Sequence, residues 1–478
     1  MPSPVPDHKD VLPDAAPGPV RQRPHAGPGR VPHVSWRRSA PAPRPRFVDA
    51  CAALAGIGFG AVVASVLSNE SHGALAAPGG PLTAVGRLAA FTGAYLMLIM
   101  VVLVARVPWL ERSVGQDQLI RWHRKIAPWA IGLIIVHVLT ITLGYAQADR
   151  TPLVHEVWVL IRSYRDILMA VVGFGLLMLA GITSYRAVRR RLKYETWWTV
   201  HLYLYLGLAF AFAHQIVTGV SFVGHPLTRA LWITVWLATA GLVLVFRVGQ
   251  PIWRSFRHQL RVVEVRDEAP GVVSVICQGR HLDQLAVSGG QFFLWRFLTR
   301  ELWWQAHPFS LSALPRPPYL RVTVKATGDF SRIVGRLRPG TPVAIEGPYG
   351  AFTHHARTTD GVLLVGAGVG ITPLRALLED LPEQTDVAVV LRASTPAGLV
   401  HRDEIAALVK HHGGRLHELV GPRHRVRLGA RHLRHLVPDI VTRDIYVCGP
   451  EGFGTEIVEI AGKLGVPSEQ IHIESFGF

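Results

Sequence analysis

Two apolar segments of the sequence each contain a pair of histidines. RWHRKIAPWAIGLIIVH, residues 121–137, holds His123 and His137, and WWTVHLYLYLGLAFAFAHQ holds His201 and His214. Ionisable side chains are costly in hydrocarbon, so they mark functional sites where they occur. The pairs are fourteen and thirteen residues apart, which is roughly 21 and 20 Å along a helix that rises about 1.5 Å per residue. Each pair can therefore place one imidazole toward each side of a membrane.

These segments belong to a set of six predicted membrane spans. The sequence is 49% hydrophobic and 17% charged, whereas soluble domains are about 25% charged. Roughly twenty apolar residues cross about 30 Å of hydrocarbon. Such runs occur near 47–67, 83–107, 126–145, 167–184, 196–219 and 228–246. We therefore predict a six-helix transmembrane domain over residues 47–250, followed by a soluble region.

The third and fifth spans run in the same direction, because one return span separates them. We predict that His123 pairs with His201 toward the cytoplasm and His137 with His214 toward the outside. At about 100° per residue, the two spacings fall about 40° and 140° short of four turns, so the fifth span requires tilt or a local irregularity. Two opposed imidazoles fill both axial positions of a haem, which suits electron transfer. Hydrogen-bonded interfacial histidines and a proton relay are the alternatives.

The distribution of Lys and Arg predicts the orientation. Basic residues concentrate in the N-terminal segment, in SYRAVRRRLKYE between the fourth and fifth spans, and after the sixth span. The positive-inside rule then places both termini of a multi-pass cell-membrane protein in the cytoplasm. The formal charge of +17 follows from these loops, and no nucleic-acid-binding motif accompanies it. We therefore expect a lipid bilayer, and no nucleic acid, as a partner.

The N-terminal segment and the cysteines indicate no further site. Residues 1–46 are rich in Pro, Ala, Gly and Arg without periodicity, which predicts a disordered basic tail. Cys51, Cys277 and Cys448 lie far apart and form no CxxC motif. Neither a disulfide framework nor a thiolate metal site is expected.

The soluble region changes pattern once. Residues 260–350 contain short alternating segments between turn signals, as in a small β-barrel. VLLVGAGVGITPLRALLEDL then has the pattern of a strand, a glycine loop and a helix, in which Gly366, Gly368 and Gly370 allow the backbone to approach a pyrophosphate. Thr372 is predicted to cap a helix whose first residue is Pro373. The three-glycine dinucleotide spacing fails at Ile371, so a plain strand-to-helix turn is the alternative.

Taken in order, these features resemble the ferric reductase and NADPH oxidase superfamily. The resemblance covers about residues 80–478 and rests on the paired histidines, HPFS, GDFS, GPYG, GAGVGITP, YVCGP and the terminal ESFGF. It implies an FAD-binding β-barrel domain at 255–357 and an NAD(P)-binding α/β domain at 358–478, beneath a membrane α-helical bundle that holds two b-type haems. No EF-hand pattern is present, so direct calcium regulation is not expected.

The resemblance also implies roles for individual residues. The HPFS element would bind the flavin through His307, Pro308, Phe309 and Ser310, and Gly328 and Ser331 would hold the FAD phosphates. The nicotinamide dinucleotide would lie against Gly366, Gly368, Gly370, Thr372 and Pro373. Cys448, Gly449 and Pro450 would form a turn beside the nicotinamide, and Phe478 would cover the flavin ring. As alternatives, Phe309 and Phe478 fill a core, Cys448 is a small buried hydrophobe, and residues 347–350 form an ordinary turn.

The substrates follow from the same resemblance. Arg423 stands where related reductases hold the adenosine 2′-phosphate, and Arg392 is a second candidate, so NADPH is favoured over NADH. Our hypothesis is that cytoplasmic NADPH reduces FAD, whose electrons pass singly through the inner and outer haems to an external acceptor. Molecular oxygen and ferric or cupric chelates both fit. The alternatives are a histidine-relay transporter or channel with a nucleotide-sensing domain, and a subunit that delivers electrons to an accessory protein.

Overall fold

The computed structural model describes residues 45–164, 166–192, 194–218, 222 and 225–475 of the chain. Residues 1–44 of the predicted tail lie outside the described residues, and Pro45 and Arg46 belong to the first helix. Phe478, predicted to cover the flavin, also lies outside the described residues.

The N-terminal half of the described chain is helical. Its α-helices are α1 Pro45–Ser68, α2 His72–Ala76, α3 Gly80–Val104, α4 Pro108–Val114, α5 Gln116–Asp149, α6 Leu153–Ser163, α7 Ile167–Ser184, α8 Arg186–Arg189, α9 Tyr194–Thr218, α10 Pro226–Val243 and α11 Gln250–His258. Six stretches are long and apolar enough to cross a membrane: Arg46–Ser68, Gly80–Val104, Gln118–Asp149, Ile167–Ser184, Thr196–Val217 and Pro226–His258. The predicted number of spans is confirmed.

The fifth and sixth spans differ in detail from the prediction. Helix α9 is continuous, so the irregularity considered for the fifth span is not present there. A π-helical segment, Leu244–Gly249, instead joins α10 to α11. Helical structure therefore continues to His258, past the predicted boundary at 250. Pro251 does not end the helix, because it lies in the first turn of α11, where a missing backbone N–H is tolerated.

Glycines set two close helix contacts that position the histidines. A Cβ on Gly86 of α3 would lie 2.7 Å from Ile141 Cγ1 of α5, and one on Gly173 of α7 would lie 2.9 Å from the Gly207 carbonyl oxygen of α9. Small residues permit such close packing where lipid supplies no hydrophobic driving force between helices. The two histidine-bearing helices are therefore each backed by a neighbour, α5 by α3 and α9 by α7.

The first soluble unit is built from two antiparallel sheets. Its elements are β1 Arg261–Ala269, β2 Val272–Gln278, β3 Phe292–Phe297, β4 His307–Ser310, β5 Tyr319–Lys325, α12 Asp329–Val334 and β6 Val343–Tyr349. The sheets have the orders β1-β2-β5 and β4-β3-β6. Phe293, Trp295 and Phe297 of β3 alternate into the core and are fully buried. The opposite face of β3 carries Leu294 and Arg296 toward the membrane helices.

The second soluble unit is a parallel α/β layer structure. Its elements are β7 Gly361–Ala367, α13 Ile371–Asp380, β8 Asp386–Ala393, α14 Arg402–His411, β9 Arg415–Val420, α15 Ala430–Leu436, β10 Arg443–Gly449, α16 Glu451–Lys463 and β11 Ile471–Ser475. The sheet order is β11-β10-β7-β8-β9. Cys448 of β10 pairs with Gly366 of β7. The predicted glycine loop and CGP turn therefore meet at the carboxyl edge of the sheet, where nucleotides bind in this class of fold.

Candidate cofactor-binding sites

The histidines of α5 and α9 face each other at the predicted cytoplasmic end. The ring centroids of His123 and His201 are 6.3 Å apart, with an interplanar angle of 65°. With metal–nitrogen bonds of about 2 Å, and ring nitrogens about 1 Å from their centroids, two opposed axial imidazoles would have centroids about 6 Å apart. The spacing of this pair therefore fits an axially ligated iron.

In all four histidines, Nδ1 lies within hydrogen-bond distance of an oxygen atom on a neighbouring helix or loop. The contacts are His123 Nδ1 to the Met100 carbonyl oxygen at 3.1 Å, His137 Nδ1 to the Gly86 carbonyl oxygen at 3.0 Å, His201 Nδ1 to Ser184 Oγ at 3.4 Å, and His214 Nδ1 to Asp166 Oδ2 at 2.8 Å. Metal-binding histidines commonly donate one ring N–H in this way, which fixes the orientation of the ring. Nε2 of each ring is then the nitrogen suited to iron.

The flavin element HPFS lies on β4, at the edge of the β4-β3-β6 sheet. The rings of His307 and Phe330 are 3.9 Å apart, and Phe309 stacks on Phe330 at 6.1 Å. Trp295 Nε1 donates a hydrogen bond of 3.0 Å to the Phe309 carbonyl oxygen. Ser310 Oγ is buried and has no hydrogen-bond partner among the described residues. Buried hydroxyls are normally paired, so this atom fits a bound ligand such as the flavin.

The GDFS segment forms a turn that opens α12. Ser331 Oγ accepts hydrogen bonds from the backbone N–H groups of Thr327 and Gly328, at 2.9 and 3.0 Å, and donates to the Gly328 carbonyl oxygen at 3.0 Å. The hydroxyl is therefore engaged in shaping the turn. If Ser331 helps to hold the FAD phosphates, it would do so by fixing the backbone of this turn.

The three glycines at the end of β7 and in the loop after it each have a different structural role. A Cβ on Gly370 would lie 2.4 Å from the Cys448 carbonyl oxygen, and one on Gly366 would lie 2.7 Å from Leu374 Cδ1. Gly368 has a φ of +57°, and a Cβ added there would have no neighbour within 4 Å among the described residues. Gly370 and Gly366 thus allow internal packing, whereas Gly368 leaves the loop backbone open to a ligand.

The predicted cap at Thr372 is wrong. Helix α13 begins at Ile371, and its N-cap is Gly370, without a side-chain capping bond. A 3₁₀ turn over Gly368–Gly370 runs directly into the helix, so the helix starts before Thr372. Thr372 is 2% exposed, and its Oγ1 has no hydrogen-bond partner in the described part of the chain. This second unpaired hydroxyl lies in the first turn of the helix after the open loop.

The CGP turn ends β10 and precedes α16. Cys448 is fully buried within the core of the parallel sheet, and burial raises the pKa of its thiol well above the ordinary value. The thiol therefore stays protonated and packs as a small apolar group. A Cβ on Gly449 would lie 3.0 Å from Phe453 Cδ1, so the turn is tightly packed. The role of Cys448, Gly449 and Pro450 beside a nicotinamide stays a prediction.

The two arginines considered for the adenosine phosphate differ in exposure. The Arg423 side chain is 74% exposed and forms an ion pair of 2.6 Å with Glu456 of α16. Arg392, at the end of β8, donates to the carbonyl oxygens of Ala393 and Leu419 and is partly buried. Arg423 can turn toward a ligand at the cost of one exposed ion pair. The guanidinium of Arg392 is already hydrogen-bonded to carbonyl oxygens of β8 and β9.

A partly buried ionic network fixes the barrel against the nucleotide unit. Arg321 of β5 pairs with Glu404 of α14 at 2.7 Å, and Arg375 of α13 pairs with both Glu404 and Glu379. Burial alone would raise the pKa of Glu404, but Arg321, His401 and Arg375 together hold it well below its ordinary range. This network joins β5 of the barrel to α13, the helix that follows the glycine loop.

A second ionic cluster joins the membrane helices to the flavin-binding sheet. Arg106, just after α3, forms an ion pair with Glu346 of β6, and both side chains are 14% exposed. The Arg106 guanidinium lies 5.4 Å from the centre of the Tyr349 ring, whose hydroxyl donates to Glu346 at 3.0 Å. We call Arg106, Glu346 and Tyr349 the junction cluster. Since α3 also supplies the Met100 carbonyl that holds His123, α3 and the segment directly after it contact both a histidine-bearing helix and the flavin-binding sheet.

Known protein families match the chain in the same order as these units. Residues 89–212 match the ferric reductase like transmembrane component, residues 261–353 an FAD-binding domain, and residues 364–459 an oxidoreductase NAD-binding domain. The three matches, in this order, match the domain set of the ferric reductase and NADPH oxidase superfamily. The matches therefore combine a membrane component with flavin- and nicotinamide-binding domains of the oxidoreductase kind.

Individual relatives match parts of the chain. An NADPH oxidoreductase of Mycobacterium tuberculosis is 27% identical over 240 residues, which are 48% of this chain and 62% of that protein. A probable respiratory burst oxidase homolog of Arabidopsis thaliana is 30% identical over 211 residues, 39% of this chain and 21% of that protein. The FAD/NAD-binding domain of a Vibrio cholerae nitric oxide dioxygenase is 23% identical, with a TM-score of 0.39, covering 46% of this chain and 100% of that one. The chain spans less than two thirds of both curated relatives.

Several residues of these sites were not expected from the sequence. Asp166, Ser184 and the Met100 carbonyl support the histidines, and Arg106 and Glu346 join the two halves. Asp166 is an acidic residue directly before the fourth span, which is a usable signal. Glu346, the ion-pair partner of Arg106, is 240 residues away, and no local pattern connects the two. Among the described residues, no group of three or more His, Cys, Asp or Glu side chains is placed to hold a metal ion.

Proposed function

We propose that the protein transfers electrons from cytoplasmic NADPH across the membrane to an external acceptor. When bound, FAD would accept a hydride from NADPH, and two b-type haems would carry the electrons singly. The observation that carries this proposal is the engagement of Nδ1 in all four intramembrane histidines, with His123 and His201 at the spacing of axial ligands. The chain's part is to hold, space and orient these groups.

The residues of the soluble units support the first half of this path. Ser310 would donate its unpaired hydroxyl to the flavin, and the open backbone at Gly368 would receive the dinucleotide phosphates at the start of α13. Arg375 and Arg321 both pair with Glu404, which joins the helix after the glycine loop to β5 of the barrel. The flavin and the nicotinamide would then meet between β4 and the CGP turn.

The external acceptor is tested by comparing two candidates. Protein in detergent is reduced without air and then mixed either with oxygen or with a ferric chelate, and the rate of reoxidation is measured. A superoxide assay, with and without superoxide dismutase, shows whether superoxide is released. Both acceptors fit histidine ligands that fill both axial positions, since the acceptor then reacts outside the iron coordination sphere. Fast reoxidation by oxygen with superoxide release identifies an oxidase, and fast reoxidation by the chelate alone identifies a metalloreductase.

Asp166 should tune the outer pair of ligands. Its side chain is 5% exposed, and its carboxylate is the partner of His214 Nδ1, whereas His123, His137 and His201 contact uncharged oxygens. A carboxylate partner makes an imidazole a stronger electron donor and stabilises oxidised iron. Asp166→Asn should therefore retain haem but raise the midpoint potential of the outer haem by about 60 mV, the equivalent of roughly 1.4 kcal/mol for one electron.

Redox titration of the purified variant measures this shift. Asp149→Asn is the matched control, because Asp149 is an acidic residue at the end of α5, on the same predicted side of the membrane as Asp166 at the start of α7. An unchanged potential in Asp166→Asn, with haem retained, would show that the carboxylate does not act on this ligand.

Arg423 should set the preference between nucleotides. NADPH carries a 2′-phosphate that NADH lacks, and Arg423 can exchange its exposed ion pair with Glu456 for this phosphate. Arg423→Gln should raise KM for NADPH about tenfold, the loss of roughly 1.4 kcal/mol, and leave KM for NADH nearly unchanged. Steady-state kinetics with both nucleotides and the control Arg425→Gln test it. Equal changes for NADPH and NADH would remove Arg423 from the phosphate site.

A further inference from the structure

A cleft lies where the last membrane helix meets the flavin-binding sheet. Its volume is about 530 Å³, and one wall is the π-helical segment and α11, while the other is the outer face of β3 and β6 with the following loop. The residues that matter are Arg247, Ile252, Phe256, Arg296, Leu298 and Trp303. None of these residues has a part in the sites described above.

The apolar walls of this cleft are unusually exposed. Phe256 is 75% exposed, Trp303 60%, Ile252 52% and Leu298 43%. Soluble surfaces rarely group large apolar side chains in this way unless something covers them. Here the group includes a tryptophan and a phenylalanine beside the end of a membrane span, which is the usual position of aromatic residues that contact the membrane interface.

The charge within the cleft is positive. Arg247 and Arg296 line it, and the lining carboxylate, Glu346, is paired with Arg106. Arg247 is held in place by a hydrogen bond of 2.8 Å from its Nη1 to the Val104 carbonyl oxygen. Guanidinium groups bind phosphate well because their planar donors match its oxygens. The cleft therefore combines an apolar wall with a cationic end.

We propose that this cleft binds an anionic phospholipid of the leaflet that faces the soluble units. The phosphate would lie by Arg247 and Arg296, and the acyl chains would cover Phe256 and Trp303. A lipid is favoured over a protein partner because α11 continues, without a break, the helical stretch Pro226–His258 that is apolar enough to cross the membrane. Basic and aromatic residues at such an exit match the anionic inner leaflet. The lipid would fill the space between the span and the sheet that carries HPFS.

Counting the lipid that stays with the purified full chain tests this site. The protein is reconstituted with phosphatidylcholine and phosphatidylglycerol, returned to mild detergent, and its bound lipids are quantified by mass spectrometry. Wild type should retain phosphatidylglycerol, and Arg296→Gln and Trp303→Ala should each lower the retained amount about tenfold, as expected when a charge-assisted contact or an aromatic surface covered by the lipid is lost. The readout needs no electron transfer, so it is independent of the proposed function.

Two neighbouring residues give matched controls. Arg300→Gln and Trp304→Ala remove side chains of the same types that do not line the cleft. Both variants should retain lipid as wild type does. FAD content and NADPH-dependent dye reduction should stay unchanged in all four variants. Equal lipid retention in wild type and cleft variants would overturn the proposal. So would loss of FAD in Arg296→Gln, which would assign the cleft to the flavin, or full displacement of the lipid by soluble glycerol phosphate.

Discussion

Replacing His137 or His214 by alanine should give a folded protein that has lost the outer haem and kept the inner one. Each imidazole would supply one of two axial bonds, and a single remaining histidine does not hold the group in a low-spin, six-coordinate state. The soluble units lie outside the membrane spans, so FAD content and the rate of flavin reduction by NADPH should match wild type. Reduction of the external acceptor should fall to background.

The reciprocal variants give a different result. His123→Ala and His201→Ala should remove the inner haem, so that NADPH still reduces the flavin but no electrons reach the outer haem. Haem-to-protein ratios and spectra after anaerobic reduction distinguish the two classes. His155→Ala is the control, because His155 lies on α6 and outside both pairs. Retention of both haems by the His137 and His214 variants would overturn the assignment of ligands.

Replacing Arg106 by glutamine should slow electron transfer from the flavin to the inner haem without slowing flavin reduction. Burial alone would lower the pKa of Arg106, but Glu346 and Tyr349 raise it well above the ordinary value, so the guanidinium is charged in the junction cluster. Loss of one partner of a fully buried pair costs about 3–5 kcal/mol, and the cost should be smaller for this partly buried pair. A local shift of the sheet would follow, and displacement by about 1 Å can reduce a rate about 100-fold.

The sheet register explains why this shift would reach the flavin. Glu346 of β6 is in register with Leu294 of β3, and Leu294 is in register with Pro308 of β4, the second residue of HPFS. Only β3 therefore separates the strand of the junction cluster, β6, from β4, the strand that carries the flavin element. On its other side, Arg106 follows α3, which orients His123. Both ends of one electron-transfer step are therefore anchored to the same short segment.

Stopped-flow spectroscopy separates the two rates in this prediction. Flavin bleaching reports reduction by NADPH, and the later rise of reduced haem bands reports the step to the membrane. Arg106→Gln combined with Glu346→Gln should recover part of the loss, because no unpaired buried charge remains. Arg266→Gln, in an exposed pair with Glu264, is the control for loss of an arginine. Equal slowing of both steps would indicate a general structural defect instead.

The sequence was informative where one local pattern determines the structure. Span number follows from the length of apolar runs, and the facing of His123 and His201 follows from helical rise and span direction. The strand and glycine loop before α13 follow from composition. These features depend on residues that are neighbours along the chain or on one helix face.

The remaining features depend on tertiary contacts. Thr372 has the residue type of a cap, but the 3₁₀ turn before it starts the helix earlier. Ser331 has the residue type of a phosphate ligand, but its hydroxyl is engaged by the turn it belongs to. Gly370 has the residue type of a ligand-binding loop, but its Cβ position is occupied by the Cys448 backbone. Residue type alone does not distinguish a group that contacts a ligand from one that shapes the site.

The most direct test of the central claim is a visible spectrum of the purified protein during anaerobic reduction by NADPH. The proposed path predicts that flavin absorbance falls first and that reduced low-spin b-type haem bands then appear, with two haems per chain. Subsequent addition of oxygen or ferric chelate should reverse both changes. A folded, flavin-loaded protein that contains no haem, or whose haem stays oxidised while the flavin is reduced, would contradict the account.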